Sequence, residues 1–335
     1  MSRRVGSDLR VRMGRGAGAG ALVAAFLLAG CAASAAPDRA SPEREAREGA
    51  MAGIPGGWEA VQDSTHRVFA IEGLSGPEAV RYDPDQDVWF VSNWNGGGNE
   101  RNAEGFISRV AADGTMESLR FMVGGSAGPL HAPRGMYIVG DTLWVADVDG
   151  VHGFNRRSGA QVAFADLRHL EPGFLNDVAA GDDGVPHVTD SSRPLLYRLT
   201  TRPDGSRSGE IALEDEGMGP ANGVTWDAAN GSFVFAPWGQ GVTTFRSWRP
   251  GDAELVVVGE SPDGGRFDGI EMVGSRILAA SQRDRALHLV DRAGGRAIIL
   301  TPGAPADIGI DTRRHRVAVP YIALNRVDVW QLPPW

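Results

Sequence analysis

The 335-residue chain holds 46 Gly and 20 Pro while 42% of it is hydrophobic, a combination that favours a β-rich globular protein over a helical bundle or a disordered chain. All 33 residues in the Lys+Arg count are arginine and Cys31 is the only cysteine, which excludes a Schiff-base or phosphate-loop lysine, an internal disulfide, a zinc ribbon and an iron–sulfur cluster. The formal charge of −9 argues against a nucleic-acid partner, because an acidic surface repels phosphates.

At the N-terminus, Arg3, Arg4, Arg10, Arg12 and Arg15 precede a short apolar run over 17–30 that ends in Leu28-Ala29-Gly30-Cys31. The run is too short to span a bilayer and reads as a bacterial export signal. The tetrapeptide LAGC resembles the lipobox of bacterial lipoproteins, which implies that 1–30 is removed and that Cys31 receives the lipid, anchoring an exported protein at the periplasmic or outer side of a membrane. The alternative is an ordinary signal cleaved near Ala33-Ser34-Ala35, releasing a free protein. Loss of 1–30 removes five arginines and one aspartate and deepens the charge to −13. Residues 31–65 begin Ala-, Pro-, Gly- and charge-rich and read as a flexible tether.

The domain is expected over 66–335. A short polar-bearing motif opens an apolar strand six times: PEAV at 77–80, PRGM at 133–136, LNDV at 175–178, ANGV at 221–224, FDGI at 267–270 and ADIG at 306–309. The motifs follow one another at 56, 42, 46, 46 and 39 residues, the period of a propeller blade. A second run follows each (88–92, 143–147, 186–190, 233–237, 277–281, 317–321), then a third. The fourth comes after turns such as Asp113-Gly114, Asp204-Gly205 or Gly294-Gly295. The reading is an all-β, six-bladed β-propeller with four antiparallel strands per blade. Its last repeat stops after three strands, so the stretch His66–Leu74 is expected to supply the fourth and close the ring.

Innermost strands of a propeller start at one face of the channel, so Glu78, Arg134, Asn176, Asn222, Asp268 and Asp307 should converge there. Carboxylate and amide oxygens in this number suit a hard divalent cation, calcium best, and the lack of histidine among them argues against zinc. The competing reading is a ring of polar groups that bond to one another and to water.

In order and blade spacing, GPEAV, NDV, ANGV and FDGI resemble the calcium-dependent six-bladed propellers of the regucalcin/gluconolactonase (senescence marker protein) family and their paraoxonase relatives. The resemblance implies Glu78, Asn176, Asn222 and Asp268 as metal ligands, Asp268 also as general base, and hydrolysis of a lactone or related ester. Two positions depart from it. Phe174 stands where gluconolactonase-like members often carry arginine, and Arg134 where paraoxonase-like members carry histidine, with His131 three residues earlier.

Arg134 suits a substrate carboxylate or could simply neutralise Glu78 or Asp307, and His131 is a candidate base. Second-strand ends should reach the same face, which makes Asn93, Trp94, Asp147, Asp190, Trp238, Gln282 and Tyr321 rim candidates. Asn93, Trp238, Asp307, Arg134 and His131 are the expected substrate contacts; Trp89 and Trp144 are expected in the core. Gly124–Gly128 matches a nucleophile-elbow pattern but precedes a proline in a loop, Asp83–Asp87 lies at a hairpin, and Gly96–Gly98 reads as a loop over the funnel. Expected partners are a small lactone or ester, and a membrane only through the anchor, with no nucleic acid. The alternative function is a non-catalytic propeller that binds a small ligand or a protein at the cell envelope.

Overall fold

Short apolar runs punctuated by Gly, Asp and Pro turns leave little room for helix, and the computed structural model, which describes residues 57–335, holds 24 strands and four short 3-10 turns there. Residues 1–56, and with them the signal segment and Cys31, lie outside the described residues. No helix among the described residues is long and apolar enough to cross a membrane.

The strands form a β-propeller built of successive four-strand groups. Group A is Pro77–Asp83, Val88–Asn93, Phe106–Ala111 and Met116–Met122. Group B is Met136–Val139, Thr142–Ala146, Gly150–Asn155 and Gln161–Asp166; group C is Leu175–Ala180, Pro186–Asp190, Leu195–Thr201 and Arg207–Glu214. A single parallel pair, Arg207 with Ala165, joins B and C into one eight-stranded sheet. Group D is Ala221–Asp227, Ser232–Pro237, Thr244–Trp248 and Val256–Glu260; group E is Phe267–Val273, Arg276–Ser281, Ala286–Asp291 and Gly294–Leu300. Group F has Gly309–Asp311, Arg316–Tyr321 and Arg326–Gln331, and its outer strand is the N-terminal Arg67–Ile71, paired antiparallel with Arg326–Gln331. Inside every group neighbouring strands run antiparallel, as hairpin connections require. The turn expected at Gly294-Gly295 falls two residues earlier, because Asp291 pairs with Gly294.

Strands with both faces buried need apolar side chains at every position, and the second strands Val88–Asn93 and Arg276–Ser281 are buried almost throughout. The core is accordingly divided among the sheet-to-sheet interfaces. Phe90, Ile107 and Met136 fill the space between A and B; Ala179, Leu196 and Phe233 that between C and D; Leu278, Ile308 and Trp330 that between E and F. Trp89 and Trp144 are buried in this core.

The end of the stretch read as a tether is engaged with the domain. Gln62 pairs with Ile299 on the outer strand of group E, and Trp58 lies 6.4 Å from Trp335 under the Arg276 guanidinium. The Asp83–Asp87 turn is a staple between groups: Arg156 binds Asp83 at 2.5 Å and Arg314 binds Asp87 at 2.7 Å.

Candidate functional site

The first strands of successive groups touch one another and return to their start. Gly135 N–H donates to the Asn176 carbonyl, Thr189 Oγ1 to the Asn222 carbonyl, and Asp307 N–H to the Glu78 carbonyl. Three of these approaches leave no room for a side chain: a Cβ on Gly135 would overlap the Asp177 carboxylate, one on Gly223 the Asp268 carbonyl, and one on Gly269 the Asp307 carboxylate. The third position of these motifs is therefore glycine for space. The result is that Glu78, Arg134, Asn176, Asn222, Asp268 and Asp307, one per group, are all 3% exposed or less.

What aims them is a repeated device at the end of the second strand. Asp147 accepts the N–H of His131 and Ala132 at 2.7 Å each, just ahead of Arg134. Asp190 accepts those of Gly173 and Phe174 ahead of Asn176, and the hydroxyl of Tyr197. Asn93 accepts Ser75 N–H ahead of Glu78, and Ser281 Oγ takes Gly265 N–H ahead of Asp268. Each side chain satisfies buried donors of the loop that leads into a ring residue, so the loop has one low-energy path. The rim role expected for Asn93 gives way to this one, since its amide is spent on Ser75, Val91 and Ser108.

The three ring carboxyls are all raised, with Arg134 and Arg81 offsetting burial and mutual repulsion only in part. Glu78 is pushed well above the usual carboxylate range, first by burial and then by the charge of Asp268, with Arg134 opposing. Asp268 is raised to about 7 by burial and by Asp177; Asp307 is raised by burial and Asp177 as well. Glu78 Oε2, Asn176 Oδ1, Asn222 Oδ1, Asp268 Oδ1 and both Asp307 oxygens are buried without a hydrogen-bond partner. Leaving that many acceptors dry costs on the order of 1–3 kcal/mol each, and a hard cation is the ligand that oxygen-only donors of this kind accept. Below the ring, Arg81 binds Glu271 at 2.5 Å across the channel and donates to the Met136 carbonyl, which settles the charges at that level.

Arg134 is held rather than free. Its guanidinium lies 3.7 Å over the Phe174 ring, and it donates to the carbonyls of Leu175 and Gly98 and to Asn99 Oδ1. Burial lowers it to about 10. The Gly96–Gly98 loop thus covers the guanidinium, with Gly98 packed against the Trp94 ring so closely that a Cβ would stand 2.7 Å from it. His131 accepts Ala103 N–H on Nδ1 at 3.1 Å and borders a separate cavity of about 350 Å³ with Arg101, Phe164 and Arg168. Trp238 is half-buried beneath the Arg266 guanidinium, 5.0 Å away.

Two further constellations, not singled out from the sequence, lie at strand ends and in the turns beside them. Asp147, Asp149 and His152 bring ligand atoms within 4.8 Å of one another, a spacing that could hold a cation. However, Gln161 Oε1 is fixed by Gly125 and Ala127 N–H, so its Nε2–H must face His152 Nδ1, and the proton of a neutral His152 sits on Nε2 toward Asp147. A nitrogen that carries a proton does not ligate, and this Nε2 is buried without a hydrogen-bond partner, as the ring oxygens are. Ser261 Oγ, His288 and Asp284 form a hydrogen-bond chain of 2.6 and 2.7 Å, in the order of a hydrolase triad. Ser261 and His288 are completely buried, and His288 holds the third-strand position that His152 and Tyr197 hold in groups B and C. It ties Ser261, just past the outer strand of group D, to Asp284 in the turn of group E.

No family model and no curated protein matches the chain. Solved structures do. A gluconolactonase from Xanthomonas campestris superposes with a TM-score of 0.58 at 17% identity, covering 78% of this chain and 88% of its own. A streptogramin B lyase gives 0.54 at 13%, covering 79% and 97%, and virginiamycin B lyase from Staphylococcus aureus gives 0.53 at 11%, covering 79% and 99%. At these identities the likeness is one of fold: the chain is a β-propeller of the kind found in gluconolactonase and in streptogramin-type lyases.

Proposed function

We propose that the four-strand groups are the six blades of a calcium-type metal-binding propeller that hydrolyses a lactone or related ester, with Glu78, Asn176, Asn222 and Asp268 as the ligands. The observation that carries the reading is that each of these four presents one buried oxygen with no partner. Their donor set is oxygen only and partly anionic, which suits calcium over softer ions. A bound cation would supply polarisation of a carbonyl oxygen. Asp268 would also take a proton from the attacking water, and Arg134, stacked on Phe174, offers a guanidinium to a substrate carboxylate once Gly98 and Asn99 release it. The gluconolactonase of like fold supports the choice of substrate class. The arginine-rich start and the LAGC motif support lipidation at Cys31 and a domain held outside the cytoplasm.

A second reading, a non-catalytic propeller for a small ligand or protein partner, draws on the cover that the Gly98–Asn99 segment forms over Arg134. Calcium content of the purified chain and a lactone and ester panel, run on wild type and Asp268→Ala, separate the two. Metal-dependent turnover lost in Asp268→Ala supports the hydrolase; metal without turnover on any ester supports the binding module.

A further inference from the structure

The residue just after the second strand lies beside the ring residue of its own group, since the strand end pairs with the residue that precedes the ring position: Pro77 with Asn93, Leu175 with Asp190, Ala221 with Pro237 and Phe267 with Ser281. In order round the propeller this flanking position is Trp94, Val148, Ser191, Trp238, Gln282 and Ile322. Only Ser191 and Gln282 are hydrogen-bonding side chains without an apolar ring or branch, and both reach the ring. Gln282 Nε2 donates to Asp268 Oδ2 at 2.6 Å, leaving Oδ1 buried and unpartnered. Asn176 Nδ2 donates to Ser191 Oγ at 3.3 Å, and Ser191 Oγ donates onward to the Phe174 carbonyl at 3.5 Å, leaving Asn176 Oδ1 buried and unpartnered.

We propose that Gln282 and Ser191 are positioning residues that decide which atom Asp268 and Asn176 turn to the channel: Gln282 by occupying one carboxylate oxygen, Ser191 by occupying the amide nitrogen. The inference rests on the cation reading of the ring. Its chemistry follows from what each ligand can do when released. A carboxylate freed of Gln282 has two equal oxygens and can bind a cation through both, displacing a water. An amide freed of Ser191 can turn its NH₂ inward, which removes an oxygen ligand and lets a water take its place. The two residues therefore act in opposite directions on the hydration of a bound ion, which a merely structural role would not produce.

Terbium(III) is the probe, its luminescence lifetimes in H₂O and D₂O counting the waters on the ion. Gln282→Met keeps the length of the side chain without its donor, and Gln282→Leu is a second route to the same loss. The expected result is that both lower the count by about one, Ser191→Ala raises it by about one, and each weakens calcium competition about tenfold, the usual scale for a residue that orients a ligand. Unchanged counts, or a change of the same sign in both sets, overturn the proposal. Wild-type protein that binds no terbium, or binds it undiminished in Asp268→Ala, instead defeats the cation reading on which this one stands.

Discussion

Removing the charge of Asp268 should stabilise the metal-free protein while destroying its metal site. The folded carboxyl holds its proton up to about 7, against 3.8 for the unreacted group, because burial and the Asp177 charge oppose ionisation. At about 1.4 kcal/mol per tenfold, the penalty is absent below pH 4, grows as pH rises, and reaches about 4 kcal/mol above pH 7; about 3 kcal/mol of it falls between pH 5 and 8. The sign is that of a raised carboxyl: stability is lost as pH rises, since the unfolded chain releases the proton first. Asp268→Asn keeps the shape and the Gln282 contact and removes the penalty. In thermal melts with chelator present, wild type should lose about 5 °C or more between pH 5 and 8 relative to the variant, from a few degrees per kcal/mol. Calcium should recover that loss in wild type and leave Asp268→Asn unmoved. Parallel pH profiles for the two proteins in chelator would refute the reasoning.

Asp190→Ala should cost about 3 kcal/mol in urea unfolding, because three backbone N–H groups, of Gly173, Phe174 and Ser192, and the Tyr197 hydroxyl lose a buried acceptor. Gly269→Ala should be more damaging than Gly231→Ala by about 2 kcal/mol: the first Cβ meets Asp307, whereas the second meets open space and only a left-handed backbone at φ +60°. Ser261→Ala should leave any ester hydrolysis unchanged, and a fluorophosphonate probe should not label the protein; labelling at Ser261 would turn the Ser261–His288–Asp284 chain into an active site. Asp149→Asn should leave calcium affinity as it is, whereas Asn222→Ala should lower it at least about tenfold, as loss of a direct ligand does.

The sequence carried the fold because the propeller writes its period into a short motif whose residues serve local geometry. Gly223 and Gly269 recur where the next strand approaches, and the polar residue before each recurs at the channel. The outer strand Arg67–Ile71 was legible as the missing fourth member of group F, since three strands there left a partner to be found. Other features depend on contacts between distant residues. That Phe174 forms the floor for Arg134 requires two groups to be docked, and the Gly98 and Asn99 contacts that cover it come from a third. The loop-fastening role of Asn93, Asp147 and Asp190 was visible as a polar residue at each second-strand end, yet position alone does not separate a side chain facing a ligand from one turned back to the backbone. The engagement of Trp58 and Gln62 was hidden by composition, because the segment before them lacks large apolar residues and they join the domain through contacts with residues far along the chain, such as Arg276, Ile299, Gln331 and Trp335.

A calcium titration of chelator-stripped protein by calorimetry, on wild type and on Asp268→Ala, bears most directly on the acidic ring as the seat of the metal. The expected result is calcium binding in wild type that is abolished by Asp268→Ala, with Asp149→Asn binding as wild type does. Absence of binding in wild type, or binding that survives Asp268→Ala and disappears in Asp149→Asn, would contradict it.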